Sequence, residues 1–267
     1  YLEACTKAAN GSIRRKQPFS DVLAKPRAWA LKASYMTGIE RQLLNKSQVI
    51  KRESGEETLS LLALIRKRFE PFFGMTQREL MDHFEISNSK DACARITKRI
   101  LGVGENEDVS ELEKANAKPK TIRLKANGRP KEAISFPAFD YFELEKTDFE
   151  HSDFHAQLDQ LYLFVIYQEG EKDVYALSDV CFWRMPEKDL SEAKRCYEQM
   201  RQNVREGRAD LSVKSSENRC CHVRPHGRDS RDTRPQPYGE PVVKKCFWLN
   251  QGYLQEEIAR TLSSQEK

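Results

Sequence analysis

The longest apolar run in the chain is Gln160-Leu-Tyr-Leu-Phe-Val-Ile-Tyr167, in which seven consecutive nonpolar positions leave no face for solvent. Such a run, too short for a core helix and rich in β-branched and aromatic residues, predicts a strand buried on both sides. It turns through Glu169-Gly-Glu-Lys172 into a second strand over 173–183. The period then changes to that of a helix: Ala193, Tyr197, Met200 and Val204 fall on one stripe, with Asp189-x-x-Glu192 as its cap and Gly207 at its end. Upstream, Leu59, Leu62, Ile65 and Phe69 mark a helix that starts near Glu56 and stops at Pro71. Thr76-Gln-Arg-Glu79 is a capping box for a second helix carrying Leu80, Met81 and Phe84, and a third spans about 90–101 with Ala92, Ile96 and Ile100 inward.

Between these elements the pattern weakens. The charged stretch 104–132 reads as a mobile loop, and 133–144 as extended. At the start, 1–7 reads as a strand end, 10–21 as a polar loop, and the residues from about Lys25 as helix. A last helix covers about 251–262. The fold class is α/β, a mixed central β-sheet flanked by helices.

Forty-five basic residues against forty-one acidic leave a net charge of +4, so a polyanion partner must be argued from clustering. The cluster is evident: Arg219, Arg224, Arg228, Arg231 and Arg234 stand with His222 and His226 in sixteen residues, and Lys244-Lys245 lead into Phe247-Trp248. Cations suit phosphates, and Arg, His and an aromatic ring can read bases. The seven cysteines are scattered and form no Cys-x-x-Cys pair, which predicts reduced thiols and a cytoplasmic location. Cys220, Cys221, His222 and His226 make a poor zinc set, since adjacent strand residues point to opposite faces. No run of eighteen apolar residues suggests a membrane span.

An internal repeat sets the domain organisation. Shifted by 219 positions, Arg15, Gln17, Pro18, Lys25 and Trp29 fall on Arg234, Gln236, Pro237, Lys244 and Trp248, with Phe19 and Asp21 on Tyr238 and Glu240. Equal spacing points to two copies of one unit. Residues 1–45 then read as the tail of a preceding copy whose body lies upstream, 46–56 as a linker and 57–267 as the second copy.

The order of these features resembles the MutH-like nucleases, in particular the GATC-cutting type II restriction endonucleases of the Sau-three-A type. The resemblance covers roughly 57–262 and is carried by the strand pair ending in Phe182-Trp-Arg-Met-Pro186, the helix 189–206, His222-Val-Arg-Pro-His226 and Lys244-Lys-Cys-Phe-Trp-Leu249. It implies that Arg224, Pro225 and His226 contact bases and that Trp248 lies near the adenine of the site. Arg228, Lys244 and Lys245 are assigned to phosphates, with Lys90 and Lys98 of the third helix beside them.

Catalysis in that family resembles the Mg²⁺ scheme in which an acid and a Glu-x-Lys pair share a strand face. Here the corresponding stretch offers Ser135, Asp140, Glu143 and Glu145, with a charge-reversed residue in the lysine position, and Lys98 replaces the helix acid near the metal. The resemblance therefore implies a catalytically degenerate DNA-binding half, an allosteric effector that needs no cofactor itself, while Mg²⁺ belongs to a catalytic half upstream. Its partners are expected to be duplex DNA containing GATC, that catalytic domain, and a second copy in a dimer on two DNA sites. Two alternatives stay open: an active Mg²⁺ nuclease using Asp140, Glu143, Glu145 and Lys146, and a regulator docking residues 76–101 as a helix-turn-helix.

Overall fold

The computed structural model describes residues 2–7 and 12–265; Tyr1 and residues 8–11, where the expected polar loop begins, lie outside them. In chain order, β1 is Leu2–Thr6, β2 Arg15–Gln17, β3 Ser20–Ala24, β4 Arg27–Leu31, α1 Ala33–Leu43 and β5 Ser47–Gln48. Helices α2 (Leu61–Phe69), α3 (Gln77–His83) and α4 (Ala92–Ile100) follow, then β6 (Asp108–Val109), α5 (Ser110–Lys114), β7 (Ala117–Leu124), β8 (Ile134–Ser135), α6 (Tyr141–Lys146) and α7 (Asp153–Leu158). The rest is β9 (Leu161–Glu169), β10 (Tyr175–Trp183), α8 (Glu187–Arg205), β11 (Cys221–Pro225), β12 (Thr233–Arg234), β13 (Val242–Val243), β14 (Lys245–Leu249) and α9 (Gln251–Gln265). These form two units, 1–58 with 98–118, and 59–97 with 119–267. Residues 98–118 thus fall with the first unit, and 46–56 carry a strand and three buried residues, Ser47, Ile50 and Glu56, instead of a bare linker.

In the first unit β1 pairs antiparallel with β4, β2 with β3, and β5 parallel with β6. The helix expected from Lys25 begins only at Ala33, because Arg27–Leu31 lies along β1, with Thr6 opposite Arg27. Cross-strand pairing overrides the helical preference of Ala and Leu there. The repeat extends beyond single residues. Moved back by 219 positions, β11 covers the span of β1, β12, β13 and β14 overlap β2, β3 and β4, and α9 overlaps α1. The pairings β11 with β14 and β12 with β13 repeat as well, one residue out of register: Cys221 faces Leu249, the counterpart of Ala30, whereas Leu2 faces Leu31.

The second unit holds two three-stranded sheets, ordered β10-β9-β7 and β11-β14-β8. The expected apolar strand is β9, fully buried from Tyr162 to Tyr167, and it pairs antiparallel with β10. Stretch 104–132 is not the mobile loop its charge suggests. It contains α5 and β7, and β7 buries Ile122 and Leu124 at alternate positions while Lys118 and Pro119 face solvent. As a sheet edge it tolerates Pro119, which has no N–H to give a neighbour. The capping box at Thr76 and Glu79 forms as expected, and α3 is anchored to the sheet by a bridge from Thr76 to Ala176. Residues 133–144 are extended only in β8 before turning into α6. Asp189 is not the cap of α8; it lies inside the first turn, buried, accepting from Tyr253 Oη at 3.1 Å and from Arg219 at 3.0 Å.

Aromatic packing joins the layers. Phe247 of β14 stacks on Phe154 of α7 (4.1 Å, 15°) and on Tyr197 of α8 (5.7 Å), while Trp183 of β10 stacks on Phe164 of β9 (5.2 Å). Trp183 Nε1–H donates to buried Glu257 of α9 at 3.0 Å, tying the last helix to the sheet. All seven thiols are free, and burial pushes those of Cys181, Cys196 and Cys220 up to about 12 and Cys246 up to about 11. The unfolded chain gives up these protons near pH 9 while the folded chain keeps them. The stability they confer is present below that pH and lost as pH rises above it. Lys245, held down to about 8, and Lys120, also lowered by burial, work the other way but are two groups against four. The urea midpoint is therefore expected to fall between about pH 7.5 and about pH 10, and an unchanged midpoint would contradict this packing.

Candidate nucleic-acid interface

Strands β11 and β14 set the side chains by alternation. Cys221 and Val223 go into the core, whereas His222 sits opposite Trp248 and Arg224 opposite Cys246 on the other face. On its far side Trp248 faces Ser135 of β8. The Arg224 guanidinium lies 3.8 Å from the Trp248 ring centre, the His226 ring meets that indole edge-on at 5.5 Å, and His222 lies parallel to it at 6.3 Å. Arg224, Pro225, His226 and Arg228 are exposed and Trp248 is half-buried.

Arg224 has no carboxylate partner among the described residues, so the indole face alone holds its cation in place. Its five donors stay available. Neighbouring cations are already committed: Arg219 pairs with Asp189 and Glu256, Lys131 with Asp173, and Arg129 donates to Gln251. These groups surround a cleft of about 710 Å³ that also takes in His222, Trp248 and Asn250.

His222 is a defined acceptor. Its Nδ1 is 2.6 Å from Asn250 Oδ1, and Asn250 Nδ2 donates to the carbonyls of Asn218 (2.7 Å) and Arg219 (2.9 Å). The amide oxygen can only accept, so Nδ1 carries the proton and Nε2 keeps a lone pair. Burial and the nearby Arg224 charge hold the imidazole below its ordinary pKa, against the Asn250 bond, which raises it. A fixed donor fork thus sits beside a fixed acceptor.

Other expected contacts are corrected. Lys245 is buried, and its ammonium donates to the carbonyls of Ala209 (2.8 Å) and Asp210 (2.6 Å), so it anchors the loop after α8 and is not free for a phosphate. Lys244 is paired with Asp232, and Lys98 bonds Glu105 O (3.1 Å) and Asp108 (3.4 Å). Lys90 is exposed.

The acids do not form one centre. Asp140 caps α6, its carboxylate accepting from Phe142 and Glu143 N–H at 2.8 and 3.2 Å, and with Glu143 it lines a cavity of about 330 Å³ walled largely by Phe136, Phe139, Phe154 and Phe247. Glu143 and Glu145 lie on helix α6, where alternate residues do not share a face, and Glu145 pairs with Arg205 at 3.5 Å. Ser135 is beside Trp248, and Lys98 belongs to the other unit. Among the described residues no three His, Cys, Asp or Glu side chains converge as metal ligands. The described acids, so placed, do not fit Mg²⁺.

Residues 104–195 match the family described as MutH: DNA mismatch repair enzyme MutH. Over 286 aligned positions the chain is 30% identical to the type II restriction enzyme Sau3AI of Staphylococcus aureus, covering 94% of this chain and 58% of that enzyme. The chain is thus similar to MutH and to a type II restriction enzyme. It spans little more than half the length of the relative it matches. Asn250, which sets the His222 tautomer, gave no pattern in the sequence, since its role depends on contacts with residues around 218.

Proposed function

We propose that this chain is the non-catalytic, DNA-binding half of a GATC-specific type II restriction endonuclease, an effector whose occupancy favours cutting by a Mg²⁺-dependent catalytic half. What supports it most is Arg224: an exposed guanidinium, with no carboxylate partner among the described residues, stacked on Trp248 beside the His222 acceptor. Arg donates bidentately to guanine O6 and N7, an imidazole lone pair accepts from an exocyclic amine, and an indole edge meets a thymine methyl. The scatter of Asp140, Glu143 and Glu145 over a helix cap, a helix and an ion pair, with no ligand set for Mg²⁺ among the described residues, favours binding without cutting. On this reading the partners are duplex DNA containing GATC, the catalytic domain of the same enzyme, and a second copy when two sites are bridged. Reciprocal coupling between the halves is what would make the effect allosteric.

The test is to incubate the chain with a GATC duplex in Mg²⁺ and read complex and cleavage together. A retarded complex with intact DNA is expected. Cutting abolished by Glu143→Gln would instead identify an active nuclease.

A further inference from the structure

Asn250 stands at the junction of β14 and α9, buried, its backbone N–H donating to Cys220 O at 2.8 Å and its carbonyl accepting from Leu254 N–H at 3.0 Å. Its side-chain amide can be turned only one way. The carbonyls of Ser215, Asn218 and Arg219 lie 3.4, 2.7 and 2.9 Å from Nδ2, and a carbonyl can only accept. The amide nitrogen must therefore face all three, which aims Oδ1 at His222 Nδ1, 2.6 Å away. That contact holds the proton on Nδ1 and leaves Nε2 with its lone pair.

The lone pair matters because the cations around it only donate. Arg129, Lys131, Arg219 and Arg224 line the same cleft with N–H groups, which suit guanine O6 and N7, adenine N7 or thymine O4 but cannot demand an amine. The cleft's carboxylates and its other amide are engaged within the chain: Glu132 by Arg123, Glu256 by Arg219 and Gln251 Oε1 by Arg129. Nothing among the described residues donates to His222 Nε2, and burial favours the neutral ring.

We propose that Asn250 is a positioning residue: by fixing the proton on His222 Nδ1 it keeps Nε2 as an acceptor for the exocyclic amine of an adenine or cytosine, so that the interface rejects a site lacking that amine. This rests on the DNA-binding reading above and adds the residue that sets the polarity of one base contact.

Two measurements use the unaltered chain. Nitrogen NMR of the free protein at neutral pH should show His222 protonated at Nδ1 and bare at Nε2. In fluorescence anisotropy, duplexes with adenine replaced by purine, or cytosine by a pyrimidinone, lose one amine at a time, and one such replacement is expected to weaken binding about tenfold or more. His222→Ala should lose that penalty, a comparison that also removes any cost of weaker base pairing. Asn250→Ala should lose most of it, because the ring can then carry its proton on either nitrogen. A protonated Nε2 in the free chain would overturn the proposal, whether or not Asn250→Ala folds, and so would a full penalty in either folded variant. Binding by the unaltered chain that ignores every amine would overturn it while leaving the Arg224 reading intact. Absence of any duplex binding would remove that reading and this one with it.

Discussion

Arg224→Ala is expected to cost about 1–3 kcal/mol of affinity for a GATC duplex, roughly a tenfold to hundredfold loss, while binding to a scrambled duplex changes little. The asymmetry follows from the geometry. Arg224 is pre-aimed, because the Trp248 ring fixes its guanidinium at 3.8 Å and no acid among the described residues competes for its donors. Its entropy of ordering is partly lost before DNA arrives, so its bonds to a base return more of their energy as discrimination. Arg224→Lys should not rescue binding, because an ammonium has neither the fork nor the planar face that the indole holds. Competition gel shifts with both duplexes measure the ratio. An equal loss on both would reduce Arg224 to a phosphate contact.

Phe247→Ala is expected to lower unfolding stability by about 3–5 kcal/mol, enough to remove much of the margin of a typical domain. Phe247 is 2% exposed and touches three layers at once: Phe154 of α7 at 4.1 Å, Tyr197 of α8 at 5.7 Å and Phe139 before α6 at 5.1 Å. These rings cannot all collapse into the void without moving α7 and α8, so the cavity persists. Its neighbour Trp248 points to the other face of β14, and the interface should survive in whatever fraction stays folded. Urea unfolding monitored by circular dichroism measures the change, and a loss below about 1 kcal/mol would place Phe247 outside the core.

The sequence disclosed most where burial is two-sided or caps are local. The β9 run, the Thr76 capping box and the stripe of α8 each follow from contacts within a few residues or from the plain absence of a polar face. It misled where a partner distant in sequence decides. Residues 27–31 become a strand because β1 supplies hydrogen bonds, and 117–124 become one because a sheet edge accepts charge and proline. The site divides the same way. Arg224, His226 and Trp248 come together in the fold as their density in the sequence suggested, but charge alone cannot tell a free cation from a spent one. Lys245 has the composition of a phosphate ligand, yet its ammonium is used up on the carbonyls of Ala209 and Asp210. Asp140 and Glu145 likewise looked like remnants of a metal site until their roles as a helix cap and an ion-pair partner became visible.

The reading proposed above is that a chain similar to MutH grips one DNA sequence without cutting it. It is tested most directly by titrating the chain into labelled GATC duplex, with Mg²⁺ present and scrambled duplex as competitor. Retention of the GATC complex against excess scrambled competitor, with every strand recovered at full length, is the predicted result. Equal displacement by both sequences, or shortened strands, would contradict it.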